Sequence, residues 1–201
     1  MKTAIAAFAA IAFAGTAAAA PQVGKPAPAF TAQTAAGKTV SLKDFAGKTV
    51  VLEWTNSGCP FVKKHYESGN MQKLQADAKA KGVVWLTVNS SAPGKQGHVD
   101  GALAAKEMKD WTFQPTAYLL DPAGKIGKAY DARATPHMYV IDGKGVLRYA
   151  GAIDDKPTAN PADIKAAKNY VTAALADVAA GRAVADPVTR AYGCSVKYPE
   201  A

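Results

Sequence analysis

Lys48-Thr49-Val50-Val51-Leu52-Glu53-Trp54-Thr55-Asn56-Ser57-Gly58-Cys59-Pro60-Phe61-Val62-Lys63 passes from a β-type run to a helix-type run at a cysteine. Thr49 to Trp54 is β-branched and apolar, which suits a pleated and buried surface, and Pro60 suits a first helical position. Cys59 therefore falls near a helix N-terminus. There the positive end of the helix dipole favours thiolate, the nucleophilic form, over thiol. The competing reading is structural, because free cysteine is among the most buried and inert residue types.

The elements on either side extend this strand-to-helix pattern. Before it, Val23 to Phe30 is an extended lead-in biased by Pro26 and Pro28, and short strands are expected around Phe30 to Gln33 and Thr39 to Leu42. After it, Phe61 to Lys81 is helix-like, with an interruption expected at Ser68-Gly69-Asn70. Val83 to Val88 is a nearly continuous apolar run, as in a central strand covered on both faces. A helix over Asp100 to Lys109, a strand over Thr116 to Leu120 and a short helical link over Lys125 to Ala132 follow. His137 to Ile141 and Val146 to Tyr149 form a hairpin around Asp142-Gly143-Lys144-Gly145. Asn160 as cap and Pro161 at the first position predict a last helix running to Gly181, with Ile164, Ala167, Val171, Leu175 and Val178 facing a sheet. Strands alternating with helices, then a hairpin, predict an α/β fold with a mixed sheet.

Met1-Lys2-Thr3 followed by the alanine-rich run to Ala20 reads as a secretory signal peptide, with cleavage expected after Ala19. The domain then spans 20–201, its tail 186–201 carrying Cys194, and no membrane anchor is expected after processing. Export, to a bacterial periplasm, places the two cysteines of the chain in an oxidising compartment, where an even count suggests a pair. Two cysteines are too few for a disulfide-stapled scaffold, and the domain is long enough to bury a core without one. The net charge of +8 comes from scattered lysines with no like-charge block or basic stripe, so nucleic-acid binding is not expected.

Four segments in order resemble the thioredoxin-like redoxins, in particular the peroxiredoxin-like proteins of the alkyl hydroperoxide reductase and thiol-specific antioxidant family. They are Gly24-Lys25-Pro26-Ala27-Pro28-Ala29-Phe30, Trp54 to Lys63, Ala134-Thr135-Pro136-His137-Met138-Tyr139-Val140-Ile141-Asp142, and Gly193-Cys194-Ser195-Val196-Lys197-Tyr198. The resemblance implies a thioredoxin-like fold and a thiol-dependent oxidoreductase with Cys59 as reactive cysteine. It also implies a cis Pro136 beside that cysteine, with Thr135 turning its backbone outward to pair with an incoming peptide. The substrate implied is a hydroperoxide or a disulfide, with a thiol reductant and no cofactor. Val62 stands where a C-x-x-C enzyme has its second cysteine, and Asn56 and Leu52 stand where peroxidatic sites carry a hydroxyl residue and a proline. Cys194 is the candidate resolving cysteine if the tail folds back over the site, and otherwise a buried or distant structural one.

Other groups are candidates for tuning. Glu53, six residues before Cys59, has the spacing of the buried acid of thioredoxins, but a solvated orientation is the preferred expectation. Lys63 and Lys64 are expected to be exposed. His65, His98, His137 and Met138 supply the ligand types of a rival, metal-binding or partner-docking module without turnover, although their spacing fits no metal site.

Overall fold

The protein is described by a computed structural model over residues 20–200; the expected leader 1–19 and the cleavage point after it lie outside the described residues. The chain forms β1 (Thr31–Thr34), β2 (Thr39–Ser41), β3 (Val50–Trp54), α1 (Pro60–Glu67), α2 (Asn70–Ala80), β4 (Val84–Asn89), α3 (Gly101–Asp110) and β5 (Ala117–Leu120). It continues with α4 (Lys125–Ala129), β6 (Ala134–Thr135), β7 (His137–Ile141), β8 (Leu147–Gly151), α5 (Tyr170–Ala179) and β9 (Cys194–Ser195).

Seven strands make one mixed sheet in the order β2-β1-β5-β4-β3-β7-β8. β3, β4 and β5 run parallel, β7 and β8 antiparallel, and β6 pairs only with β9 in a separate ladder. This is the thioredoxin-like α/β fold. β4 is the middle strand and every residue in it is buried, as its unbroken apolar run requires. Along β3 the side chains alternate between two cores. Val50, Leu52 and Trp54 join Leu86, Val88 and Tyr139 on one face, while Val51 joins Trp85, Met138, Tyr66 and Val171 on the other.

The interruption after α1 is present, and Gly69 makes it with a φ of 76° before α2 begins. The single helix over 161–181 is wrong: Pro161–Ala166 is a 3-10 turn, and α5 starts only at Tyr170. A second asparagine explains the break. Asn169 caps α5 by accepting from Thr172 N at 2.8 Å, while Lys168 and Asn169 are drawn out to bridge Asp155 and Asp154. Ile164 and Ala167 accordingly lie outside the core, which Val171 and Ala174 fill.

Candidate active site

Cys59 is the N-cap of α1, with Pro60 at the first helical position, and its side chain is completely buried. Its carbonyl accepts from Val62 N and Lys63 N, both at 3.0 Å, so the first turn closes directly on the cysteine. The Thr135–Pro136 peptide is cis. The Cys59 thiol donates to the Thr135 carbonyl at 3.1 Å. On the far side of Thr135 lies the tail: β9 runs antiparallel to β6, with Cys194 opposite Thr135 and Ser195 opposite Ala134. All four residues singled out as site candidates, Cys59, Thr135, Pro136 and Cys194, thus meet in one place. Both cysteines are free thiols.

The hydrogen bonds around the two sulfurs separate their acidities. Burial pushes the Cys59 thiol up, but bonds from the Cys194 thiol, the Thr135 side chain and the backbone N–H groups of Cys194 and Val62 outweigh it, and the net direction is down. Cys194 moves the other way, pushed up to about 11 by burial and by its hydrogen bond to the charge on Cys59, against the pull of Lys197. The hydrogen bond from the Cys194 thiol to the Cys59 sulfur therefore makes Cys59 the more acidic of the two thiols. The α1 dipole adds about 0.3–1 kcal/mol in the same direction.

A buried polar cluster holds the tail in this position. Tyr192 donates its hydroxyl to Asp154, lies 3.3 Å from His65 Nε2, and packs edge-on against Phe61 at 5.9 Å. Asn70 meets His65 Nδ1 at 2.9 Å, so that nitrogen accepts and Nε2–H points at Tyr192. Burial holds the His65 imidazole down to about 4, with Asp154 opposing and Lys64 assisting. Lys64 corrects the expectation of an exposed lysine. It is buried, 3.8 Å from Asp154 and donating to the Lys156 carbonyl at 2.8 Å, because Asp154 supplies a buried counter-charge and the carbonyl an acceptor. It does not act on Cys59.

Glu53 corrects a second expectation. It is fully buried rather than solvated, since β3 is an inner strand and Glu53 lies on the face that meets Tyr66 of α1 and Gln75 of α2. Its carboxyl accepts from Tyr66 Oη at 2.6 Å, Trp85 Nε1 at 2.8 Å, Thr87 Oγ1 at 3.0 Å and Gln75 Nε2 at 3.3 Å. Burial raises its pKa against those four bonds.

The histidines are dispersed. His137 contacts Tyr139 and Arg133 N, and His98 bonds to the Ser91 carbonyl. Among the described residues no group of three His, Cys, Asp or Glu side chains is placed to hold a metal ion, and no helix is long and apolar enough to cross a membrane. Asn56 spends its amide on Gly58 N, Ser91 and the Gln96 carbonyl. Arg133 is exposed and paired with Asp131. The Asp154–Tyr192–His65 cluster was not found from sequence, since its members lie up to 127 residues apart and carry no shared motif.

Comparison with known proteins bears on the family and the fold. The Redoxin family model matches residues 22–169. The chain is 32% identical over 127 residues to "Thioredoxin-like protein YneN" of Bacillus subtilis, covering 63% of this chain and 69% of that one. It is 30% identical to "Thiol-disulfide oxidoreductase ResA" of Bacillus thuringiensis, covering 62% and 66%. Among solved structures, an uncharacterized conserved protein from Geobacillus kaustophilus superposes with a TM-score of 0.76 at 27% identity, covering 90% of this chain and 94% of that one. The thioredoxin domain of a thiol-disulfide oxidoreductase from Bacteroides vulgatus gives 0.50 at 25% identity, covering 63% and 85%.

Proposed function

The chain belongs to the Redoxin family and is a thiol-dependent oxidoreductase, and from that premise we propose that it is an exported dithiol enzyme in which Cys59 and Cys194 cycle between two thiols and one intramolecular disulfide. The observation that carries this reading is the β6–β9 ladder, which sets Cys194 opposite Thr135 while Cys59 bonds to the Thr135 carbonyl. Closing the pair joins Sγ of Cys59 to Sγ of Cys194 and gives up two electrons and two protons. The Cys59 thiolate is the nucleophile in closing and the leaving group in opening, because the more acidic thiol leaves faster. Thr135 and Pro136 hold the backbone against which both sulfurs sit. The leader expected from the sequence supports an oxidising compartment for the cycle.

The oxidant is a disulfide rather than a peroxide. In support, position 56, three residues before Cys59, carries the amide of Asn56 rather than a hydroxyl, and Arg133, two residues before Thr135, is paired with Asp131. The test compares one equivalent of hydrogen peroxide with one of glutathione disulfide, following formation of the Cys59–Cys194 link by mass. Faster closing with the disulfide supports thiol–disulfide exchange; faster closing with peroxide, with Cys194→Ser trapped at Cys59 sulfenic acid, makes the protein a peroxidase instead.

A further inference from the structure

The edge of Thr135 on which a substrate peptide would pair is occupied by the chain itself. Cys194 and Ser195 fill it, and contacts on both sides hold them down. Tyr192 is tied to Asp154 on one side. On the other, the Lys197 carbonyl accepts from Ala92 N at 2.8 Å, and Tyr198 donates to the Ala132 carbonyl at 2.7 Å. A protein strand seeking Cys59 would have to strip these bonds together. Beneath them Cys59 has no exposed surface, whereas Cys194 is half-buried.

Next to Gly193 the surface opens into a cleft of about 530 Å³ lined by Arg190, Tyr192, Tyr170 and two carboxylates that already have partners, Asp154 with Tyr192 and Lys64 and Asp155 with Lys156 and Lys168 N. That volume suits a small molecule. Three of the four arginines pair with carboxylates: Arg133 with Asp131, Arg148 with Asp142 and Arg182 with Asp177. Arg190 has no carboxylate partner among the described residues, so the cleft beside the redox pair carries an uncommitted planar cation of the kind that recognises carboxylates.

Resting on the dithiol reading above, we propose that the exchange partner of the pair is a low-molecular-weight thiol bearing a carboxylate, seated against Arg190 and reacting at the Cys194 sulfur, while β9 shuts protein disulfides out. In the reducing direction the partner thiolate bonds to Sγ of Cys194, the Cys59–Cys194 bond breaks, and its electron pair stays on Sγ of Cys59. A second partner thiolate then attacks the partner sulfur of the mixed disulfide. The partner leaves as its own disulfide, and Cys194 leaves as a thiolate and takes a proton. Two partner thiols have lost two electrons and two protons. The two cysteines have taken up those two electrons and two protons.

The test uses the oxidised full chain, whose Cys59–Cys194 link is first established by peptide mapping; if that link is absent, it is the dithiol reading that fails, and this inference with it. Reduced glutathione is then added, the reaction is quenched in acid at short times, and the free thiols are alkylated. The expected intermediate carries glutathione on Cys194 and the alkyl group on Cys59. Glutathione found on Cys59 overturns the proposal. Reduced thioredoxin, a protein dithiol, should open the link at least about 10-fold more slowly per thiolate than glutathione, because attack depends on access; an equal or faster rate overturns the exclusion. In Arg190→Glu the ratio of the glutathione rate to the 2-mercaptoethanol rate should fall about 5-fold, the effect of one exposed charge pair, and an unchanged ratio removes the carboxylate from the proposal.

Discussion

Cys194 stands directly opposite Thr135 in the β6–β9 ladder, and the residue before it, Gly193, brings its Cα so close that a Cβ would lie 2.0 Å from the Thr135 carbonyl oxygen. Gly193 also has a φ of 130°, which side-chain-bearing residues rarely adopt. Only glycine lets the tail reach the site. Gly193→Ala should fold, because the residue is exposed and lies outside the main sheet. It should nevertheless weaken closing of the disulfide by about 10-fold or more, in line with 1–3 kcal/mol of backbone strain. Equilibration with glutathione buffers measures this, and an unchanged midpoint would mean that the ladder does not position Cys194.

Glu53 is a structural acceptor in this account. Glu53→Leu leaves the Tyr66 hydroxyl, the Trp85 indole and the Thr87 hydroxyl without their partner, and should cost about 3–5 kcal/mol of stability in urea unfolding. Glu53→Gln should leave the pH midpoint of Cys59 alkylation where it is, since the groups that set it are Cys194, Thr135 and Val62. A shift of that midpoint would turn Glu53 into a proton relay for the thiol.

Acid should loosen the protein through its buried histidines. An unfolded histidine takes its proton near 6.5, whereas His65 and His137 do so only near 4, both because of burial. Between those values the unfolded chain binds more protons, so stability is full above pH 6.5 and falls as the pH drops toward 4, by up to about 1.4 kcal/mol per unit per histidine. His65→Asn should start out less stable at pH 7 and lose less on going to pH 5. Equal losses in the two proteins would assign the acid sensitivity elsewhere.

The fold and the strand-to-helix junction at Cys59 were legible in the sequence because they are local. Strand β3, the Cys59-Pro60 junction and the Gly69 break each announce themselves within a few residues. The pairing of Cys194 with Cys59 was left open, because β9 is two residues long and nothing in a tail without periodicity says where it lands. Glu53 and Lys64 were misjudged for one reason: an isolated charge reads as solvated until the donors or acid that meet it are known, and those come from distant elements. The split of the last helix was missed because Pro161 offered a strong start signal that hid the second cap at Asn169.

Cys59 and Cys194 should form a reversible disulfide, which a redox titration read by peptide mapping measures. The mature protein is equilibrated over a series of reduced and oxidised glutathione mixtures, quenched in acid, alkylated and digested without reductant. A single two-electron transition is expected in which the Cys59 and Cys194 peptides appear joined, absent in both Cys59→Ser and Cys194→Ser. Cysteines that stay unlinked across the whole series, or that each take up glutathione independently, would contradict it.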